Sequence, residues 1–127
     1  MTHPHDIHSG IGRIVRAAGY SIAGLAAAWR HESAFRQECM LAALLLPAAC
    51  WVGRTWLETA LLAGSVMAVL IVELLNSAIE SAVDRVSAEL HPLSKRAKDI
   101  GSAAVMLSLL TCSALWCAAL WQRWMSA

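Results

Sequence analysis

Apolar residues gather into long blocks separated by short polar segments. The clearest block is Ile100–Trp121, 22 residues without a charge; as a helix it measures about 33 Å, close to the thickness of a bilayer's hydrocarbon core. Cys39–Gly53 is apolar for 15 residues and Thr59–Val72 for 14. Each is shorter than a usual span, and a buried helix of a soluble protein gives the same pattern. The polar break between them, GRTW at Gly53–Trp56, is flanked by Trp51 and Trp56, as where two helices turn at a membrane interface. Each helix also lengthens if its polar end faces other protein, so the pattern predicts spans over about 36–55, 58–82 and 97–122. Ahead of the first span, Ile11, Ile14, Val15, Ala18, Ile22 and Leu25 recur at helical spacing, with Arg13 and Arg16 off that stripe. This predicts an amphipathic surface helix over about 11–33, packed on the bundle or lying in the interface. Gly19 and Gly24 weigh against its continuity. His91-Pro92 predicts a break before the last helix, because the residue before proline is pushed out of helical geometry.

Composition turns this pattern into a class. Hydrophobic residues make up 58% of the 127 residues and charged residues 15%, against roughly 25% charged in soluble domains. A chain this short cannot bury so much apolar surface in water, so an all-α integral membrane protein is expected, as one domain over 11–127 after a flexible stretch at 1–10. No secretory signal is expected at the opening, and its histidines read as a frayed terminus rather than a metal site. Cys39, Cys50, Cys112 and Cys117 form no C-x-x-C pair and read as small hydrophobes. Eight of the ten basic residues precede the first span or lie between the second and third. Positive-inside bias therefore places the N-terminus and the 81–98 segment in the cytoplasm and the C-terminus outside.

Candidate chemistry lies at the same face. Glu73, Asn76, Glu80 and Asp84 stand at i, i+3, i+7 and i+11, one face of the second span. A carboxylate at membrane depth is costly and marks a functional site by default. HESAFRQE brings Glu32, Arg36, Gln37 and Glu38 to that depth, with Glu32 and Arg36 spaced as an i,i+4 pair; KRAKDIGS brings Lys95, Arg96, Lys98 and Asp99. Carboxylates for a divalent cation and basic groups for phosphates are the ingredients of phosphoryl transfer. An interhelical network neutralised by Arg36 or Lys98, or a transporter, stays open on this pattern. No Walker loop and no protein-kinase motif set is present, and no nucleic-acid partner is expected. Small residues along the third span (Gly101, Ser102, Ala103, Ala104) allow close helix packing and a homo-oligomer.

RAAGYSIAGLAAAWRHESAFRQE and VELLNSAIESAVDRVSAELHPLSKRAKDIGSAAV resemble the prokaryotic diacylglycerol kinase family, over about Ile11 to Trp121. The resemblance implies three transmembrane helices plus a surface helix, assembled as a homotrimer in the bacterial inner membrane, with sites shared between subunits at the cytoplasmic face. It implies transfer of the ATP γ-phosphoryl group to diacylglycerol, giving phosphatidic acid. By the same resemblance Glu73 is the catalytic base and Asn76 positions the reacting groups. Glu32 and Glu80 are ligands of the Mg²⁺ that accompanies ATP, with Glu32 also in the nucleotide site. Lys98 contacts phosphate and Asp99 is its polar neighbour. Arg13, Arg16 and Tyr20 match nucleotide-site positions, and Glu38, Asp84 and Ser102 match substrate or supporting ones. Two departures stand out: Arg16 replaces a family lysine, and Lys95 replaces a glycine beside Arg96. The related undecaprenol kinases would share the base and metal residues; ESAFRQE and GSAAV favour diacylglycerol as acceptor.

Overall fold

A computed structural model describes residues 9–86 and 89–126; the His-rich opening lies outside them. The described residues form four helices and no strand: α1 (Ser9–His31), α2 (Ser33–Val52), α3 (Trp56–Val86) and α4 (Pro92–Met125). Three of them, α2, α3 and α4, are long and apolar enough to cross a membrane, which makes the chain a multi-pass membrane protein. The 20 residues of α2 reach about 30 Å, whereas the 31 of α3 and 34 of α4 reach about 46 and 51 Å. The two longer helices therefore extend beyond a bilayer core, and α3 carries its acidic face into that extension.

The helix ends follow local chemistry. His91 caps α4, its ring accepting a hydrogen bond from Leu93 N at 3.1 Å, and Pro92 occupies the first turn, where its missing N–H costs nothing. The break expected at His91-Pro92 is thus the start of α4, at Pro92. Helix α1 runs unbroken through Gly19 and Gly24. It ends where Glu32 adopts extended geometry, φ −115° and ψ 105°, which turns the chain into α2. At the α2–α3 turn, Thr55 Oγ1 accepts from Glu58 N at 3.1 Å, and the Glu58 carboxylate accepts from Arg54 N at 2.7 Å, one residue ahead of the capping threonine, a cap close to the reciprocal box.

Helix α3 is the centre of the molecule, packed along α4 on one side and α2 on the other, while α2 barely meets α4. The core is Ala42, Ala49, Val52, Leu62, Val66 and Trp116, toward the α2–α3 turn. That end is tied together by its own polar residues: Arg54 donates to the Gln122 carbonyl, and the Arg123 guanidinium lies 4.6 Å from the Trp51 ring centre. Much apolar surface stays uncovered, Leu44 being 72% exposed and Trp56 88%. The stripe Ile11, Ile14, Val15 and Ile22 on α1 is exposed too. Three thin spans cannot cover such residues; lipid or further subunits must.

Candidate functional site

At the other end of the bundle the interior is polar. Glu73 is 6% exposed and Asn76 9%, with Ser77 buried beside them, so the helical period carries this face of α3 inward. Glu73 is the hub. Glu80 and Glu32 lie within electrostatic reach of it, and the carboxyl groups of Glu38 and Glu73 approach each other across the α2–α3 interface. Asn76 Nδ2 donates to Glu80 Oε1 at 3.2 Å, one turn along the helix. Glu32 stands at the α1–α2 elbow in the N-cap position of α2, yet its side chain caps nothing. It lines a groove of about 520 Å³ between α1 and α3, together with Leu25, Ala28, His31, Leu74, Ser77 and Ser81. The wall is mostly apolar, and Glu32 is the one carboxylate among the described residues that lines it.

No described basic residue is ion-paired to this group, although Lys98 lies within electrostatic reach of Glu80. Arg36 turns away from Glu32 and donates to the carbonyls of Trp29 (2.7 Å) and Arg30 (3.2 Å), in the last turn of α1. The i,i+4 pair suggested by spacing does not form, because the helix breaks at Glu32. Lys98 binds Asp84 at 2.5 Å and Lys95 binds Asp99 at 2.6 Å. No described basic residue forms an ion pair with Glu32, Glu38, Glu73 or Glu80. Arg36 therefore does not balance these carboxylates, and Lys98, within electrostatic reach of Glu80, forms its ion pair with Asp84 instead. A polar path to the opposite end is also lacking among the described residues. Between the ends lie Val66, Leu62 and Ala49, and the buried Ser65 hydroxyl donates to Leu62 O and contacts Cys112.

The remaining site candidates are placed around this group rather than in it. Lys98, Asp84, Ser94 and His91 line one recess at the start of α4; Asp99, Lys95, Arg96 and Ile100 line another. Ser102 is exposed beside the buried Gly101, and Arg13, Arg16 and Tyr20 are exposed on the first half of α1, outside the groove. One chain thus brings Glu32, Glu38, Glu73, Asn76 and Glu80 together, but not Asp99 or the α1 residues. Ser77 and Ser81 were missed by reading charges alone, although they fall on the Glu73–Asn76–Glu80 face by the same period.

The donor set suits a magnesium ion that arrives with phosphates. No three His, Cys, Asp or Glu among the described residues converge as a ready metal cage. Magnesium in nucleotide enzymes keeps waters and takes one or two carboxylates plus phosphate oxygens. Uncompensated carboxylates around Glu73 offer that, and their mutual repulsion asks for a cation or a proton between them.

Comparison with known proteins agrees with the motifs. The family model for prokaryotic diacylglycerol kinase matches residues 19–120. The diacylglycerol kinase of Escherichia coli (strain K12) is 50% identical over 115 residues, 91% of this chain and 94% of that protein. The one from Pseudomonas aeruginosa (strain PAO1) is 50% identical over 113 residues, 89% of this chain and 92% of its own. That of Haemophilus influenzae (strain Rd) is 44% identical over 108 residues, 85% of this chain and 92% of its own. By motif, by fold and by these matches, the chain belongs to the prokaryotic diacylglycerol kinase family.

Proposed function

We propose that this lipid kinase transfers the γ-phosphoryl group of ATP to the primary hydroxyl of diacylglycerol, releasing ADP and phosphatidic acid. The reaction takes place at the cytoplasmic face of a bacterial inner membrane. The observation that carries the reading is the set of carboxylates around Glu73, in no ion pair with any described basic residue, of which Glu32 lines a largely apolar groove. A groove of about 520 Å³ accepts a glycerol backbone and the first acyl carbons, while the tails stay in lipid.

Glu73 receives the proton of the lipid hydroxyl as its oxygen attacks the γ-phosphorus in line with the departing ADP. No covalent enzyme intermediate is needed, so the protein's part is positioning and charge compensation. Magnesium, bound with ATP, neutralises phosphate charge, and Glu32 and Glu80 would hold it. Asn76, through its bond to Glu80 Oε1, fixes the orientation of that carboxylate. Lys98 exchanges Asp84 for a phosphate, and Asp99 completes the nucleotide side with Arg13, Arg16 and Tyr20. Glu38, Asp84 and Ser102 support the arrangement. Asp99 and the α1 residues stand apart from the carboxylates of their own chain, which supports sites built between subunits in the homotrimer that the family resemblance implies. Eight of ten basic residues lie at the acidic end, which orients that end inward.

The test is ATP-dependent labelling in mixed micelles with Mg²⁺, with diacylglycerol and undecaprenol offered separately, beside Glu73→Gln. Labelled phosphatidic acid, lost in the variant and on chelation with EDTA while the oligomer survives, is the expected outcome. Preference for undecaprenol would keep the chemistry and move the acceptor. Labelling of neither would overturn the reading.

A further inference from the structure

Asn76 occupies its position because residue 101 has no side chain. Gly101 is buried on α4 against Asn76, and a Cβ built there would collide with Asn76 Oδ1. The next atoms it would meet, Asn76 Cγ at 3.4 Å and Cβ at 4.0 Å, lie at ordinary contact distance. The conflict is therefore with the tip of one flexible side chain and with no backbone. Asn76 Oδ1 is itself buried and has no hydrogen-bond partner among the described residues, whereas Nδ2 donates to Glu80 Oε1. The amide is thus wedged: its oxygen rests on the bare Cα of Gly101, which directs its nitrogen at Glu80. A buried amide oxygen without a donor is costly, and rotation is what a crowded Asn76 would adopt to find one.

We infer that Gly101 is a positioning residue for phosphoryl transfer: by leaving space on α4 it fixes the rotamer of Asn76 and, through Asn76, the orientation of the Glu80 carboxylate. The inference rests on the proposed roles of Asn76 and Glu80. It gives Gly101 a role distinct from close helix packing, since the atom it accommodates belongs to the site. Gly101→Ala would leave α3 and α4 in place, and alanine favours the helix, yet it would turn the amide away from Glu80.

Asn76 is the only asparagine in the chain, so protein labelled with ¹⁵N-asparagine gives a single side-chain amide pair by NMR in detergent. In Gly101→Ala that pair is expected to move while oligomer size and melting temperature hold. Turnover should fall roughly 10- to 100-fold, as for a misplaced catalytic group, with the half-saturating Mg²⁺ concentration raised and KM for diacylglycerol little changed. Gly64→Ala, a helical glycine of α3 with nothing within 4 Å of its added Cβ, controls for the substitution itself and should move neither signal nor rate. An unmoved amide pair, or unchanged turnover and Mg²⁺ dependence, would overturn the inference. If Gly101→Ala does not assemble, Asn76→Ala/Gly101→Ala removes the colliding atom and should assemble as Asn76→Ala does; failure of the double variant makes Gly101 a packing residue only and overturns the inference. Wild-type protein that labels no lipid would defeat the functional reading, while the amide shift would still decide whether Gly101 places Asn76.

Discussion

At the scale of single residues, the two ends of the bundle treat polar groups in opposite ways. Around the α2–α3 turn each charge has a local partner: Arg54 on Gln122 O, Glu58 on Arg54 N and Arg123 over Trp51. Around Glu73 the carboxylates form no ion pair with a described basic residue, although a burial cost applies there. Satisfied pairs stabilise; unsatisfied groups wait for something to bind. Lys98 lies between these cases, because its ion pair with Asp84 is largely open to solvent and exposed pairs are weak. It can be exchanged for a phosphate without large loss. Lys98→Ala should therefore raise KM for ATP roughly tenfold through loss of a charge-assisted contact. Asp84→Asn, which frees Lys98, should leave that KM equal or lower. Initial rates against ATP concentration in both variants check the pair. An increase of similar size in both would mean that the ion pair itself, rather than a free Lys98, shapes the nucleotide site.

At the scale of elements, much was legible in the sequence because a helix has a fixed period. Glu73, Asn76 and Glu80 could be set on one face, and the three spans located, from spacing alone. Their ends were less legible. α3 runs on to Val86 and α4 starts at Pro92, since polar residues continue a helix wherever it leaves lipid. Two features depended on geometry that spacing does not carry. The Glu32–Arg36 pairing assumed an unbroken helix, whereas the extended backbone at Glu32 turns Arg36 back onto α1. The seat of Asn76 on Gly101 depends on how closely α3 and α4 approach. Arg36 consequently plays a structural part, holding carbonyls in the last turn of α1 and thereby fixing the elbow that carries Glu32. Arg36→Ala should loosen that turn by about 1.5–3 kcal/mol, the scale of a charged hydrogen bond, seen as faster hydrogen exchange at 28–33, with a several-fold loss of turnover. By contrast, Thr55→Ala at the far turn removes a cap worth about 1 kcal/mol; it should lower the melting temperature and leave every KM unchanged. The two variants separate an elbow that serves the site from a turn that serves only the fold.

At the scale of the whole molecule, the question is what completes the site. The recess holding Asp99 is walled by α4 alone, from Pro92 to Ala103, and the Glu73 group lies on a different face of the bundle. In the function proposed above, these two sets join between chains rather than within one. In the proposed ring of identical subunits, a heterologous contact would set one chain's α4 recess against the next chain's carboxylates. This gives a quantitative expectation for mixed assemblies. Glu73→Gln spoils the carboxylate side of a site and Asp99→Asn the nucleotide side, so either variant alone should be nearly inactive. When subunits of the two are unfolded, mixed in equal amounts and reassembled in lipid micelles, each site draws its two sides from different chains. Each side then has an even chance of being intact, and about a quarter of the sites in a cyclic assembly regain both. Turnover near a quarter of wild type, well above either variant reassembled alone, is the expected result. Sites contained within one chain would regain nothing on mixing, since every chain would carry one defect or the other. Mixing only after each variant has assembled separately should also give nothing, which distinguishes exchange of subunits from residual activity of the variants themselves.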